Sequence, residues 1–154
     1  MKLAHNVRIN VFAYSEEREE IKNSLLSLCP QLVLDDIDKK KIKISEQVMK
    51  GKRQGEEDII IYSLTLENAK HCTEFIKKLL NNIKDENTHN KLCKRIDESC
   101  KCYIRLDKKS LVNGEYKLIF GDGCFHIKIA LAAFPKKKKK AEELVGKVIE
   151  KVEN

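Results

Sequence analysis

No apolar run in these 154 residues approaches the roughly 20 that a membrane-spanning helix needs, which excludes a helical membrane protein. The opening Met1-Lys2-Leu3-Ala4-His5-Asn6 lacks the apolar stretch of a secretory signal, so a soluble, cytoplasmic protein is expected. The patterns G-x-S-x-G, H-E-x-x-H and Walker A are absent, and Gly121-Asp122-Gly123 is too short to cradle phosphates. Nothing demands catalysis or a cofactor, and a non-enzymatic protein is expected. No internal repeat is present, and only Lys136–Lys140 is low in complexity. Arginine is scarce, at positions 8, 18, 53, 95 and 105, so lysine supplies most of the 31 basic residues. A surface rich in Lys, Glu and Ile is the bias of hyperthermophile proteins.

The six cysteines lack the paired C-x2-4-C knuckles of structural zinc sites. Their tightest grouping, His89, Cys93, Cys100 and Cys102, has the spacing H-x3-C-x6-C-x-C and leaves a metal open. The simpler reading places Cys93 on the apolar side of a helix and Cys102 on the inward side of a strand, as small core hydrophobes. Asp35, Asp36 and Asp38 read as a solvated charged turn.

What is present is enough apolar residue, 42%, for a folded core, and the length fits one domain over 1–154. The net charge of +7 is unevenly placed. Residues 101–140 carry eleven Lys or Arg against three Asp or Glu, while the rest is near balance. Five of the eleven form the run Lys136, Lys137, Lys138, Lys139 and Lys140, and the others, Lys101, Arg105, Lys108, Lys109, Lys117 and Lys128, stand among apolar residues. A folded basic surface of this kind favours polyanions.

Periodicity predicts a strand over 5–14, a helix over 16–29 ended by Pro30, an edge strand near 42–48 and a buried strand over 59–66. A helix over 67–83 follows, then a shorter one carrying Leu92, Cys93 and Ile96. Strands at 101–107, 115–120 and 124–134 and a final helix with Ala141, Leu144, Val145, Val148 and Val152 complete the chain. The order describes an α+β fold, a mainly antiparallel sheet with helices packed on one face. Alternation then sets Arg8, Asn10, Phe12, Tyr103, Arg105, His126 and Lys128 on the open face. Cations interleaved with aromatics are the mixture by which proteins hold phosphates and stack unpaired bases. Lys52 and Arg53, between Gly51 and Gly55, form a second candidate contact with a phosphate backbone. A partner protein or a second copy covering the same face is the alternative.

The strand Asn6-Val7-Arg8-Ile9-Asn10-Val11-Phe12, the strand Tyr103-Ile104-Arg105-Leu106-Asp107-Lys108, and His126-Ile127-Lys128-Ile129 through Phe134-Pro135 resemble a family of archaeal RNA-binding proteins regarded as predicted exosome subunits. Its members are similar in fold to the large-subunit ribosomal protein that binds 5S rRNA. The resemblance implies a role in RNA processing or ribosome biogenesis, with exosome or ribosomal proteins as further partners. The family's Gly-His-Tyr-Gly-Asn-like loop is replaced here by Gly51-Lys52-Arg53-Gln54-Gly55. On this reading Lys108, Lys109 and Lys136–Lys140 attract phosphates, Arg8, Arg105 and Lys128 fix the path of the strand, and Phe12 and Tyr103 stack bases.

Overall fold

The computed structural model describes residues 2–83 and 85–153. Its centre is β1 (Ala4–Tyr14), whose alternating Val7, Ile9, Val11 and Ala13 are buried while Arg8 and Asn10 are exposed. A 3-10 turn at Ser15–Glu17 leads into α1 (Arg18–Ser27). Pro30 stands at the N-cap of α2 (Gln31–Asp38), where its lack of an N–H costs nothing and its fixed φ starts the helix. An exposed strand β2 (Ser45–Met49) turns back into β3 (Ile59–Leu66).

Helix α3 (Ala69–Asn82) begins at Asn68, whose side-chain oxygen accepts from the amides of Lys70 and His71, two donors a helix start would otherwise leave unpaired. Its Cys72, Phe75, Ile76, Leu79 and Leu80 recur at helical spacing and are buried. Then come α4 (Thr88–Cys93), β4 (Lys101–Asp107), α5 (Lys108–Val112), β5 (Cys124–Leu131) and α6 (Lys138–Glu153).

The strands form one antiparallel sheet in the order β2-β3-β1-β5-β4. One face supplies Ile9, Tyr62, Leu64, Ile104, Phe125 and Ile127 to the core, against Phe75 and Leu79 of α3 and Ala141, Val145 and Val148 of α6. Among the described residues no helix covers the opposite face, because the polar half of each alternating strand faces that way. The fold is thus the α+β arrangement expected.

Several local readings differ. Asp35, Asp36 and Asp38, read as a charged turn, lie instead in the second half of the helix α2, because Val33 is buried with Leu34 and Ile37 packed against the core. Residues 115–120 are not a strand. Tyr116 and Leu118 make only isolated bridges, to Ile83 and Leu106, as the chain runs along the outer edge of β4. β5 stops at Leu131, α6 begins three residues before Ala141, and the side chain of Val152 lies outside the described residues.

Candidate nucleic-acid interface

Register decides which side chains become lateral neighbours, since directly opposed residues in antiparallel strands are about 5 Å apart at Cα. One row across the open face reads Tyr103, Lys128, Arg8, Thr65, and the next reads Arg105, His126, Asn10, Ser63, Ser45. Five predicted residues from three strands therefore form one patch: Arg8, Tyr103, Arg105, His126 and Lys128. Among the described residues, none of Arg8, Arg105 or Lys128 has a carboxylate within ion-pair distance. Like charges facing each other across a sheet are unfavourable, so the row holds a positive potential at some cost to stability.

The polar chemistry of the patch is well defined. The Lys128 ammonium lies 5.9 Å from the centre of the exposed Tyr103 ring. The Tyr103 hydroxyl donates to Asp97 Oδ2 at 3.2 Å. Burial and the neighbouring Asp97 raise its pKa, so the phenol stays protonated. Asp97 is held below the usual carboxylate range, first by the amide of Lys101 and also by the amide of Ser99 and by Tyr103. His126 is pushed down by burial and by the charge of Arg105, which keeps the ring neutral at pH 7. Its Nε2 lies 3.4 Å from Cys124 Sγ, and because burial raises that thiol, the S–H donates and the ring accepts.

Lys108 departs from expectation. Its charge marks it as a phosphate contact, but the alternation that buries Ile104 and Leu106 puts Lys108 on the inward side, where the strand ends and Asp107 caps α5, accepting from the Ser110 amide at 3.0 Å. The Lys108 side chain turns inward and is only 8% exposed. Its ammonium donates to the carbonyl of Phe12 at 2.8 Å and to Glu17 Oε1 at 3.0 Å, and lies 4.5 Å from the centre of the Phe12 ring. Burial alone would raise the Glu17 carboxyl. The bonds from Lys108 and the Tyr14 amide, with the charges of Lys108 and Lys109, outweigh it and hold the group below its ordinary value. Lys108 is therefore an internal tie rather than a phosphate contact, and Phe12, packed on Lys108 and edge-on to Tyr14, is half-buried.

The remaining cations lie at the two ends of the sheet. Lys136, Lys137, Lys139 and Lys140 are exposed and Lys138 half-buried, just beyond the end where Leu131 pairs with Ala4. Lys52 and Arg53 lie beyond the other end, where Ile59 pairs with Tyr14, on the order of 30 Å away along β1. Both amides donate to Glu56 Oε2, and the Arg53 side chain is 3.9 Å from Glu56 Oε1. Lys109 is exposed on α5.

Among the described residues, no three His, Cys, Asp or Glu side chains are grouped so as to hold a metal ion. Cys100 and Cys102 are buried, Cys102 with its thiol pushed up to about 12 by burial, and His89 contacts the carbonyl of Glu142. No described helix is long and apolar enough to cross a membrane. Two residues that periodicity did not single out adjoin the patch, Arg95 and the exposed Phe120, with the Arg95 guanidinium carbon 4.3 Å from the centre of the ring. An aromatic directly before a Gly-Asp-Gly turn was the available signal, hidden by the strand-like pattern of 115–120.

An antiparallel sheet backed by helices on one face, with cations unpaired among the described residues and an exposed tyrosine on the other, places the chain among α+β proteins with an open basic sheet face. A family described as RNA binding matches residues 6–132, and the chain belongs to it. RNA is the partner that this membership supports. The RNA-binding protein PAB1135 of Pyrococcus abyssi is 25% identical over 151 residues, covering 96% of this chain and 94% of that one. Among solved structures, Mth689, a DUF54 protein from Methanothermobacter thermautotrophicus, superposes with a TM-score of 0.74 at 21% identity, over 96% of this chain and 98% of that one. Protein AF2318 from Archaeglobus fulgidus gives 0.70 at 24% identity, over 94% and 99%. These two similarities establish the fold.

Proposed function

We propose that the protein binds single-stranded RNA without catalysing a reaction on it, laying the strand across the open sheet face and towards Lys136–Lys140. The row Tyr103, Lys128, Arg8, Thr65 carries this reading, because it gathers cations that, among the described residues, no carboxylate pairs with. Arg8, Arg105 and Lys128 hold phosphates, neutral His126 and Asn10 hydrogen-bond to sugar or base edges, and Tyr103 stacks. Lys109, Lys52 and Arg53 extend the positive field beyond the far end of the sheet. A place in RNA processing, exosome function or ribosome biogenesis follows from the family resemblance of the strands, and exosome or ribosomal proteins are then the partners on the other surfaces.

The test is binding of the purified, nuclease-treated protein to a labelled single strand and a matched duplex at several salt concentrations. With about five phosphates neutralised, log affinity should fall with log salt at a slope near −3.5 for the single strand. A flat salt response, or no binding at low salt, overturns the reading. The face would then belong to a protein partner or a second copy, which light scattering across a concentration series would reveal.

A further inference from the structure

Strand β4 is the last of the sheet, yet its outer edge is not free. Residues 95–97 run along its first part, with Tyr103 N–H donating to the Arg95 carbonyl and Asp97 N–H to the Lys101 carbonyl, both at 3.0 Å. Residues 117–119 run along its last part, with Ile119 N–H donating to the Arg105 carbonyl at 3.0 Å and Asp107 N–H to the Lys117 carbonyl at 2.9 Å. Two arginines tie the segments together. Arg95 Nη2 donates to the Ile119 carbonyl at 2.8 Å, and Arg105 Nη1 to the carbonyls of Phe120 and Gly121 at 3.2 and 3.3 Å.

Between the segments lies an open cleft of about 480 Å³, lined by Lys94, Arg95, Asp97, Tyr103, Arg105 and Phe120 among others, which is room for a nucleotide. Its chemistry is selective. Phe120 has the Arg95 guanidinium over one face of its ring and yet is 78% exposed, so the other face is bare. A large apolar ring is here held outward by two arginines instead of turning into the core. Arg95 Nε is buried without a hydrogen-bond partner, a cost that the fold accepts to keep the guanidinium under the ring. Lys94, Arg95 and Arg105 outnumber the single carboxylate of Asp97, which is already engaged by the amides of Ser99 and Lys101 and by the Tyr103 hydroxyl.

We propose that this cleft takes one unstacked base of the bound RNA, laid on the free face of Phe120 above Arg95, with the adjoining phosphate on Lys94 and Arg105. The inference rests on the RNA-binding reading and adds a defined base site at the β4 edge of the sheet face. A duplex cannot present such a base, so the site separates single strands from duplexes, which Arg8, Arg105 and Lys128 by their charge alone do not.

The experiment compares the wild type, Phe120→Leu and Phe120→Trp on three probes: a labelled ten-nucleotide single strand, its duplex, and polyphosphate as a base-free polyanion. Because Phe120 is exposed, both variants should fold, which circular dichroism checks. Phe120→Leu should lose roughly five- to 150-fold in single-strand affinity while keeping its affinity for duplex and polyphosphate, and Phe120→Trp should retain single-strand binding. Wild-type affinity in Phe120→Leu, or an equal loss on all three probes, overturns the base site and leaves RNA binding standing. Failure of the wild type to bind either RNA overturns both.

Discussion

Arg8 of β1 and Lys128 of β5 stand directly opposite each other in the antiparallel ladder, on the face of the sheet that no helix covers. Lys128 also faces the Tyr103 ring, and among the described residues no carboxylate lies within ion-pair distance of either cation. The like-charge pair costs stability, and on the proposed reading that cost is offset when RNA phosphate binds there.

Lys128→Glu should therefore raise stability and lower binding together. Replacing a like-charge pair by an opposite one across the strands should be worth about 0.2–1 kcal/mol. Chemical denaturation should show a higher midpoint, and RNA titration at low salt a weaker affinity. Loss of stability together with unchanged affinity would refute the role given to this row.

The lysine run should behave the same way. Lys138, Lys139 and Lys140 occupy the first turn of α6, where the helix dipole disfavours cations by about 0.3–1 kcal/mol each when exposed. Neutralising Lys136–Lys140 should raise the melting temperature and flatten the salt dependence of RNA binding. Neutralising Lys52 and Arg53, at the other end of the sheet and next to Glu56, should change the salt slope less.

Lys108 predicts the opposite pattern. Lys108→Met removes the donor to the Phe12 carbonyl and to Glu17, at a cost of about 1.5–3 kcal/mol for bonds to charged groups, with duplex RNA affinity nearly unchanged. The pH dependence follows from Glu17, whose carboxyl is depressed in the folded state. The stabilisation is complete above the ordinary value of 4.5 and is lost as pH falls through the lower folded value. Acid titration of stability should thus be steeper in the wild type than in Lys108→Met. Parallel profiles would show that the tie contributes nothing.

His71 and Asp36 join α3 to α2 through a 2.6 Å contact between largely buried side chains. His71→Ala and Asp36→Ala should each destabilise by about 1–3 kcal/mol, and the double variant should cost less than the sum, with a coupling above about 0.5 kcal/mol. Additive losses in a double-mutant cycle would mean that the two side chains act separately. RNA binding on the opposite face of the sheet, as proposed, should then not change.

The composition of the open face was legible in the linear chain, because the direction of a strand side chain depends only on a period of two. Arg8, Asn10, Phe12, Tyr103, Arg105, His126 and Lys128 could be grouped without knowing which strands are neighbours. The same rule failed where a local period gave way to another. Tyr116 and Leu118 alternate like a strand, but at the sheet edge the chain makes only two isolated bridges. Lys108 shares the inward parity of Ile104 and Leu106, but its charge outweighs that signal in the linear chain, and it is buried against Phe12 and Glu17. Asp35, Asp36 and Asp38 read alone as a charged turn, but they continue a helix that Val33 and Ile37 pack against the core.

What the amino-acid sequence determined by itself was the five strands of the sheet and the longer helices, the polarity of each face and the concentration of positive charge in 101–140. Only tertiary structure decided that Arg8 meets Lys128, that Lys52 and Lys136 lie at opposite ends of the sheet, and that Arg95 reaches across to Phe120. The physical reason is that face polarity is set by neighbours two residues apart, whereas these pairings join positions 25 to 120 residues apart. Such pairings depend on strand order, register and the packing of connecting segments, which no local pattern encodes.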